Sequence, residues 1–282
     1  MGPKVIISLF VFLFCSVNAI SATPNRNISL GCREAGMFSI FFDVLDLLNS
    51  YDRKRYDGVR IDFRREGFYY DSQYGRNWWH YYFEPIQLGI KRPMKRVYGC
   101  SDYVNPFEIE FHTTRHEAHR LIQKYIQLRP EIKESIDQFE STHFRDKFVI
   151  GVHYRGTDKS GEAPRVSYEK MSEEISIVIQ NHPNHNHLIF VATDEQNFIH
   201  YLIAQFGDLV CYTPGTIRST DGQAIHSNLK LPRYQIGKEA LMDCLLLART
   251  HILIRTSSNL SLCSTFFNPN LPVILLNNRW PL

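Results

Sequence analysis

The chain has 282 residues, of which 44% are hydrophobic and 22% are charged, and its formal net charge is +3 at pH 7. This is an ordinary composition for a globular protein, and the length permits one large domain or two small ones. The small net charge gives no argument for a nucleic-acid partner, so the basic cluster Lys91–Arg96 is interpreted as a solvated loop.

The N-terminus has the pattern of a secretory signal. Lys4 precedes the apolar run Val5–Phe14, and Val17–Ala19 fits the small-residue pattern of a cleavage site. The apolar stretch is short for a membrane span, which needs about 20 residues. We predict a signal peptide or a short signal anchor over residues 1–19, with the rest of the chain in the Golgi or endoplasmic reticulum lumen or secreted. In a bacterial chain, a retained anchor would instead leave the domain on the cytoplasmic side.

A glycosylation sequon, Asn27–Ser29, follows this segment and predicts a glycoprotein. Cleavage of the signal would remove one of the six cysteines and leave an odd number, so at least one thiol would be unpaired. No Cys-x-x-Cys pair occurs, which argues against a zinc ribbon. A bridge between Cys32 and Cys100 is plausible, but the sequence does not establish it.

The first half of the chain contains one clear helical pattern, over Ile40–Leu48. Ser39 is a candidate cap for this helix, and Gly36 lies in the loop before it. A helix that starts behind a glycine-containing loop can bind an anion, although an ordinary turn is an equally good interpretation at this point.

Three further patterns complete the first half. Alternation over Val59–Phe63 predicts a strand. The aromatic segment Tyr69–Glu84 is interpreted as core rather than as a sugar-stacking surface. A long amphipathic helix is predicted from Thr113 or Thr114 to Phe139.

The second half alternates short apolar runs with helical patterns. The apolar runs are Phe148–Val152, Leu188–Ala192, Leu209–Tyr212, His251–Ile254 and Pro272–Leu276. The helical patterns are Tyr168–Gln180, Glu195–Phe206, Lys238–Ala248 and Leu260–Phe267. This alternation predicts an α/β fold with a doubly wound parallel sheet. We predict an N-terminal domain over residues 30–145 and a C-terminal domain over residues 146–282.

Polar side chains follow the predicted strands at the edge where their carboxyl ends meet. The segment His153–Lys159 follows the first strand, and its Arg155 suits a phosphate because a guanidinium donates two parallel charged hydrogen bonds. The segment Arg255–Asn259 follows another strand and opens a helix, where hydroxyls and backbone N–H groups form an anion site. Two such elements at one sheet edge predict a ligand that carries phosphate.

Two acids near this edge have open interpretations. Asp194 follows the second strand and is interpreted first as a helix cap. Asp243 lies within an apolar helical pattern and therefore needs a partner. It is either a structural hydrogen-bond acceptor or an acceptor for the edge of a nucleotide base.

These loops are similar to those of the fucosyltransferase superfamily, which includes α1,6-fucosyltransferases, bacterial nodulation fucosyltransferases and protein O-fucosyltransferases. The matching segments are His153–Lys159, Val191–Asp194, Asp243–Ala248, Thr256–Asn259 and, in the first half, Gly36–Ser39. The resemblance extends from about Phe148 to Phe267. It implies a GT-B architecture, in which two Rossmann-like domains face each other across a cleft. The N-terminal domain would lie on the acceptor side, and the C-terminal domain would hold GDP-fucose.

Carried over by position, the resemblance implies that Arg155 binds the β-phosphate of the departing GDP. His153 and Asp243 would contact the guanine and ribose. The remaining donor contacts would come from Gly36, Asp194, Ser257, Ser258 and Asn259. With one deletion, Glu162 matches a catalytic carboxylate and is predicted to take the proton from the acceptor hydroxyl. Asp158 is the second candidate for this base, and Asp158 and Lys159 would shape the acceptor side.

The chain departs from this pattern at Gly156, where many superfamily members carry a second arginine. A catalytically degenerate glycan-binding domain and a transferase that uses another nucleotide sugar therefore stay open. No Asp-x-Asp pair occurs in the sequence, which disfavours a metal-clamped diphosphate.

The predicted activity is inverting, metal-independent transfer of fucose from GDP-fucose to a glycan or protein hydroxyl. We expect no cofactor and no nucleic-acid partner, and membrane contact only through the N-terminal segment. Three histidines at helical spacing are interpreted as exposed rather than as zinc ligands: His112, His116 and His119.

Overall fold

The computed structural model describes residues 26–90, 94–99, 114–157, 163–220 and 230–278, together with residues 222, 225 and 228. The predicted signal segment 1–19 lies outside these residues, and so do Asp158, Lys159 and Glu162. Within the described ranges, no helix combines the length and the hydropathy that a membrane span requires.

The first half forms a four-stranded sheet in the order β3-β2-β1-β4. In the described part, its elements are β1 Asn27–Gly31, α1 Met37–Asp52, β2 Gly58–Ile61, α2 Trp79–Tyr82, β3 Gln87–Leu88, β4 Lys95–Tyr98, α3 Arg115–Tyr125 and α4 Pro130–His143. Strand β1 pairs in parallel with both β2 and β4, and β3 pairs antiparallel with β2.

The second half forms a five-stranded sheet in the order β7-β6-β5-β8-β9, and every neighbouring pair is parallel. Its elements are β5 Phe148–Tyr154, α5 Tyr168–Asn181, β6 His187–Thr193, α6 Gln196–Phe206, β7 Val210–Cys211, α7 Arg233–Leu247, β8 Ile252–Arg255, α8 Asn259–Phe267 and β9 Val273–Leu275. The predicted doubly wound sheet is confirmed, because helices cover both of its faces.

Strand β5 shows how the alternation of side chains places the polar loop residues. Ile150, Val152 and Tyr154 are buried in one hydrophobic cluster with α5 and α6, whereas Val149 belongs to the cluster that contains α7. Successive side chains of a strand point to opposite faces. His153 therefore lies on the Val149 face, toward α7.

The two halves share a hydrophobic core. Phe42 in α1 lies 5.6 Å from Phe266 in α8, measured between ring centroids. From the end of the first half, the rings of Phe139 and Phe144 lie 5.7 and 5.4 Å from Phe190 in β6. Helix α4 thus packs on the second sheet. The domain boundary at residues 145–146 stays a prediction.

The single long helix predicted before Phe139 is two helices. Helix α3 starts at one of the two predicted positions: Thr114 is its N-cap, and the Thr114 hydroxyl accepts a hydrogen bond from the backbone N–H of Glu117. Helix α4 then begins at Pro130. Proline has no N–H to donate and disfavours helical backbone at the residue before it, so the chain cannot continue one helix through this point.

Most of the aromatic segment of the first half lies in the core, as predicted, whereas Tyr74 is 52% exposed. Trp78 and Trp79 are 1% exposed, and Tyr82 is fully buried. Both tryptophan rings pack against Phe63, and the rings of Phe63 and Trp78 are stacked 5.0 Å apart. These buried rings form part of the core of the first half and are not available to stack on a sugar.

Cys32 is a free, buried thiol in the structure, and burial raises its pKa to about 12. Its suggested partner, Cys100, lies outside the described residues. The sequon Asn27–Ser29 opens strand β1, where Ser29 is buried and Asn27 is partly exposed. The prediction of a glycoprotein stays a prediction.

Candidate active site

A cavity of about 350 Å³ lies between the two halves, at the carboxyl edge of the second sheet. Seven of the residues predicted from the sequence line it: Gly36, His153, Arg155, Asp194, Asp243, Ser258 and Asn259. Ser257 lies beside this lining, and its backbone N–H donates to Oδ1 of Asn277 over 2.7 Å. The structure thus brings residues from both halves and from several loops to one place.

Two helices begin at this cavity. Helix α1 starts behind Gly36, and α8 starts behind Ser258, whose hydroxyl accepts a hydrogen bond from the N–H of Leu260. The first N–H groups of a helix have no intrahelical partner, and the helix dipole is positive at this end. Both helix starts therefore favour an anion in the cavity.

The predicted cap of α1 is wrong, because Gly36 and not Ser39 occupies the N-cap position. Ser39 lies in the first helical turn, where its hydroxyl accepts a hydrogen bond from Nη2 of Arg33 over 2.7 Å. The cavity wall at this end is therefore made by the glycine loop and by the first turn of the helix.

Asp194 orients the loop that follows β5. Its Oδ2 lies 2.9 Å from Nε of Arg155 and accepts the hydroxyl hydrogen bond of Thr157 over 2.6 Å. Its Oδ1 accepts the backbone N–H of Gly156 over 3.3 Å. The interpretation of Asp194 as a helix cap is wrong, because the N-cap of α6 is Glu195. The carboxylate instead fixes the direction of the Arg155 guanidinium.

Gly156 is explained by the side chain that lies against it. A Cβ atom at this position would lie 2.2 Å from Oε1 of Glu195, which is far inside van der Waals contact. The Glu195 carboxylate is buried and accepts hydrogen bonds from the hydroxyl of Tyr168 over 2.6 Å and from Nη2 of Arg165 over 3.1 Å. No side chain fits at residue 156 while this carboxylate keeps its place.

His153 is buried in the cavity wall and 3% exposed. Burial, followed by the positive charges of Arg155 and Arg255, lowers its pKa to about 3. The imidazole is therefore neutral at physiological pH. Its Nδ1 atom is buried without a hydrogen-bond partner among the described residues, so a ligand can supply the partner that such an atom requires.

Asp243 and Glu239 lie one helical turn apart on α7, and both are buried. Asp243 accepts a hydrogen bond from the hydroxyl of Thr213 over 3.1 Å, and Glu239 accepts one from the backbone N–H of Ile217 over 3.0 Å. Burial raises the pKa of Asp243 to about 7, against the opposing effect of the Arg218 charge. Near neutral pH this carboxyl group can thus accept or donate a hydrogen bond.

Sequence reasoning missed several lining residues, among them Tyr69, Thr216, Ile217 and Glu239. Glu239 lies four residues before Asp243, so both acids lie on one helix face. Glu239 could therefore have been predicted from its spacing to Asp243. Thr216 follows β7 at the same sheet edge, so the argument used for the other loops applies to it. Tyr69 has no such signal, since its hydroxyl accepts the N–H of Met37, which lies 32 positions earlier in the chain.

Of the histidines considered as zinc ligands, His112 lies outside the described residues and His116 is exposed on α3. His119 lies on α3, and its Nδ1 is 2.9 Å from the carbonyl oxygen of Phe266. Because a carbonyl oxygen only accepts hydrogen bonds, Nδ1 is the donor. Across the part of the chain that the structure describes, no group of three metal-ligating side chains could hold an ion.

Comparisons with known proteins give structural matches only. No family model and no curated protein matches the sequence. Fucosyltransferase NodZ from Bradyrhizobium is 17% identical with a TM-score of 0.57, covering 90% of this chain and 98% of NodZ. NodZ α-1,6-fucosyltransferase in crystals soaked with GDP-fucose is 18% identical, with a TM-score of 0.57 and coverages of 86% and 93%. A mutant of Arabidopsis thaliana FUT1 in complex with GDP is 9% identical, with a TM-score of 0.55 and coverages of 89% and 70%.

At these identities the likeness concerns the fold. It extends over both sheets and over nearly the whole of NodZ. The architecture implied by the loop resemblance is confirmed, and the chain has the same GT-B fold as these fucosyltransferase structures.

Proposed function

We propose that this protein transfers fucose from GDP-fucose to a hydroxyl group of a glycan or a protein, with inversion and without a metal ion. The observation that carries the proposal is the convergence of Arg155 and of the starts of α1 and α8 on one cavity. Each of these three elements favours an anion. The diphosphate of a nucleotide sugar is an anion of suitable size. Among the neighbours, NodZ was soaked with GDP-fucose and FUT1 is in complex with GDP.

In this proposal Arg155 binds the β-phosphate, and the start of α8 receives the phosphate oxygens through Ser258 and Asn259, with Ser257 beside them. Gly36 lets the α1 loop approach from the opposite wall. The base and ribose lie toward His153 and Asp243. A carboxylate that accepts hydrogen bonds suits the N–H groups along the guanine edge, and the neutral imidazole adds a donor or an acceptor.

The transfer step forms a bond between the acceptor oxygen and C1 of fucose and breaks the bond from C1 to the diphosphate oxygen. Negative charge then grows on GDP, where Arg155 and the helix starts stabilise it without reorganising. The acceptor proton passes to a carboxylate base. We assign this base to Glu162, with Asp158 as the second candidate and Lys159 beside the acceptor. A single displacement of this kind inverts the configuration at C1.

The glycan-binding alternative depended on Gly156, which removes a guanidinium from the loop. The contact between Gly156 and the Glu195 carboxylate supplies a steric reason for the glycine. This reason is independent of whether the domain turns over substrate. Gly156 thus has a packing reason of its own, and Arg155 lies in the cavity wall with its Asp194 partner.

Calorimetric titration of the chain with GDP, GDP-fucose, UDP and GDP-mannose in the absence of metal tests the donor assignment. We expect GDP and GDP-fucose to bind and Arg155→Ala to lose that binding. Arg145→Ala, which changes an exposed arginine of the loop before β5, is the matched control and should bind normally. Selective binding of UDP would replace the donor, and a folded chain that binds no nucleotide would contradict the proposal. Glu162→Gln should keep GDP binding and lose transfer.

A further inference from the structure

The residue that follows the end of β9 reaches the same sheet edge as the donor loops. Strand β9 is the outer strand of the second sheet and pairs in parallel with β8. The ladder continues past the strand, where the backbone N–H of Leu276 donates to the carbonyl oxygen of Arg255 over 3.0 Å. Asn277 comes directly after Leu276. It therefore lies at the carboxyl edge of the sheet, although its side chain stands outside the lining of the donor cavity.

The side-chain amide of Asn277 makes one hydrogen bond to each of two loops. Its Oδ1 accepts the backbone N–H of Ser257 over 2.7 Å, and its Nδ2 donates to the carbonyl oxygen of Pro164 over 2.6 Å. The first partner requires an acceptor, and the second requires a donor. An amide offers both, whereas a carboxylate only accepts and an alkyl side chain does neither. Asparagine is thus suited to join these two loops.

The first of the two loops leads into α8, at the end of the cavity where we place the diphosphate. Ser258 and Asn259, which follow Ser257, line the cavity. On the other side of Ser257, the backbone N–H of Thr256 donates to the carbonyl oxygen of His153 over 3.0 Å. The start of α8 is therefore held by β5 on one side and by Asn277 on the other.

The second loop, residues 163–167, directly follows the candidate base Glu162 in the sequence. Val166 is buried, and its carbonyl oxygen accepts the hydroxyl hydrogen bond of Tyr154 over 2.8 Å. Pro164 is exposed, so its position depends on the hydrogen bond from Asn277 more than on packing. The loop is thus tied to β5 at Val166 and to the start of α8, through Asn277, at Pro164.

We propose that Asn277 is a positioning residue that couples the diphosphate end of the donor site to the loop of the candidate base. The proposal rests on the proposed transferase function. A diphosphate bound at the start of α8 restrains the backbone at Ser257, and the Asn277 amide passes this restraint to Pro164. Such a link matters because a displacement of about 1 Å in a reacting geometry can lower a rate by about a hundredfold.

Hydrogen exchange followed by mass spectrometry, with and without saturating GDP, tests this coupling. GDP should slow exchange of the wild-type chain in a peptide over residues 254–262 and in a second peptide over residues 163–170, since restrained backbone opens less often. In Asn277→Ala the first peptide should still respond to GDP, and the response of the second should be lost. A residue that only stabilised the fold would change exchange with and without GDP alike.

Asn277→Asp separates the two hydrogen bonds. Aspartate has the shape of asparagine and keeps the acceptor for the N–H of Ser257, but it has no donor for the carbonyl oxygen of Pro164. It should therefore also lose the GDP response of the second peptide, and it carries the test if Asn277→Ala fails to fold. Asn278→Ala and Asn278→Asp are the matched controls, because they make the same changes at the exposed asparagine one position later. Both peptides should respond in these controls.

Calorimetry with GDP is run on every variant, so that equal occupancy is established before exchange is compared. A response of the second peptide that survives in both Asn277 variants would overturn the coupling alone. A GDP-bound wild-type chain in which only the first peptide responds would also overturn it. A folded wild-type chain that binds no GDP would instead contradict the transferase function on which the proposal rests.

Discussion

Alanine at Gly156 is expected to destabilise the loop behind β5. The new Cβ would lie 2.2 Å from Oε1 of Glu195 and 2.3 Å from its Cδ. The carboxylate would have to move by about 1 Å to reach ordinary contact distance, away from the Tyr168 hydroxyl and the Arg165 guanidinium that hold it. Overpacking costs about 1–3 kcal/mol, and a disturbed charge-assisted hydrogen bond costs about 1.5–3 kcal/mol.

We therefore expect Gly156→Ala to lower the free energy of unfolding by about 2–4 kcal/mol. At about 2–4 °C per kcal/mol for a chain of this size, Tm should fall by about 4–16 °C. Scanning calorimetry and urea unfolding followed by circular dichroism measure the two quantities. Gly36→Ala is the matched control, because a Cβ there meets no atom within 4 Å. Its cost should stay below about 1 kcal/mol, the usual range for a changed helix cap.

A double-mutant cycle with Glu195→Ala tests the stated cause. Glu195→Ala alone removes the hydrogen bonds of the buried carboxylate, but it also frees the space that a methyl group at position 156 would need. The two changes should therefore cost less together than the sum of each alone, by about 1–3 kcal/mol. Strict additivity, or a Gly156→Ala variant within about 0.5 kcal/mol of wild type, would refute the reasoning.

Three further predictions concern His153, Asp194 and Gly237. The folded pKa of His153 is about 3, below its ordinary 6.5, so the folded state binds fewer protons; its stabilising contribution is complete above about pH 6.5 and is lost as the pH falls toward 3. In urea titrations between pH 7.5 and 4, stability should therefore fall more steeply for wild type than for His153→Asn. Asp194→Asn should weaken calorimetric GDP binding by about tenfold, because Arg155 loses a charged partner; unchanged affinity would show that the pair does not orient the guanidinium. Gly237→Ala places a Cβ 2.2 Å from the hydroxyl oxygen of Tyr82 and should cost about 1–3 kcal/mol in chemical denaturation. A Tyr82→Phe background should remove the part of that cost that the hydroxyl oxygen causes, while Cζ of the ring stays 2.7 Å from the added Cβ. An equal cost in both backgrounds would contradict a clash with the hydroxyl.

The second sheet could be predicted from the sequence because its strands are fully buried. Runs such as Phe148–Val152 and Leu188–Ala192 are apolar on both faces, which is the pattern of parallel strands covered by helices. Their order along the chain then fixes which loops meet at the carboxyl edge. The order of the strands therefore predicts that the loops of His153 and Arg255 meet at one edge, whereas Asp243 was placed at the same site by the family resemblance.

The first sheet was harder to predict because its strands are short and partly polar. Strand β4, Lys95–Tyr98, has no buried side chain, and its place in the sheet comes from pairing with β1 over a sequence distance of more than sixty residues. Strand β3 has only two residues. Such strands are defined by their neighbours rather than by their own pattern.

The contacts that position the loop residues of the donor site also could not be predicted from sequence patterns. Gly156 and Glu195 lie 39 positions apart, and no periodicity links them. Asp194 was interpreted as a cap because aspartate commonly begins helices, yet its carboxylate turns back to Arg155 and Thr157. The local preference is real, but a charged partner across the sheet edge offers a stronger interaction.

A crystal structure of the chain with GDP tests the central claim most directly. The account predicts the diphosphate between Arg155 and the start of α8, within hydrogen-bond distance of the guanidinium and of backbone N–H groups near Ser258. The guanine is expected toward His153 and Asp243. A diphosphate bound elsewhere on the molecule, or a base turned away from α7 with the phosphates out of reach of Arg155, would contradict the account.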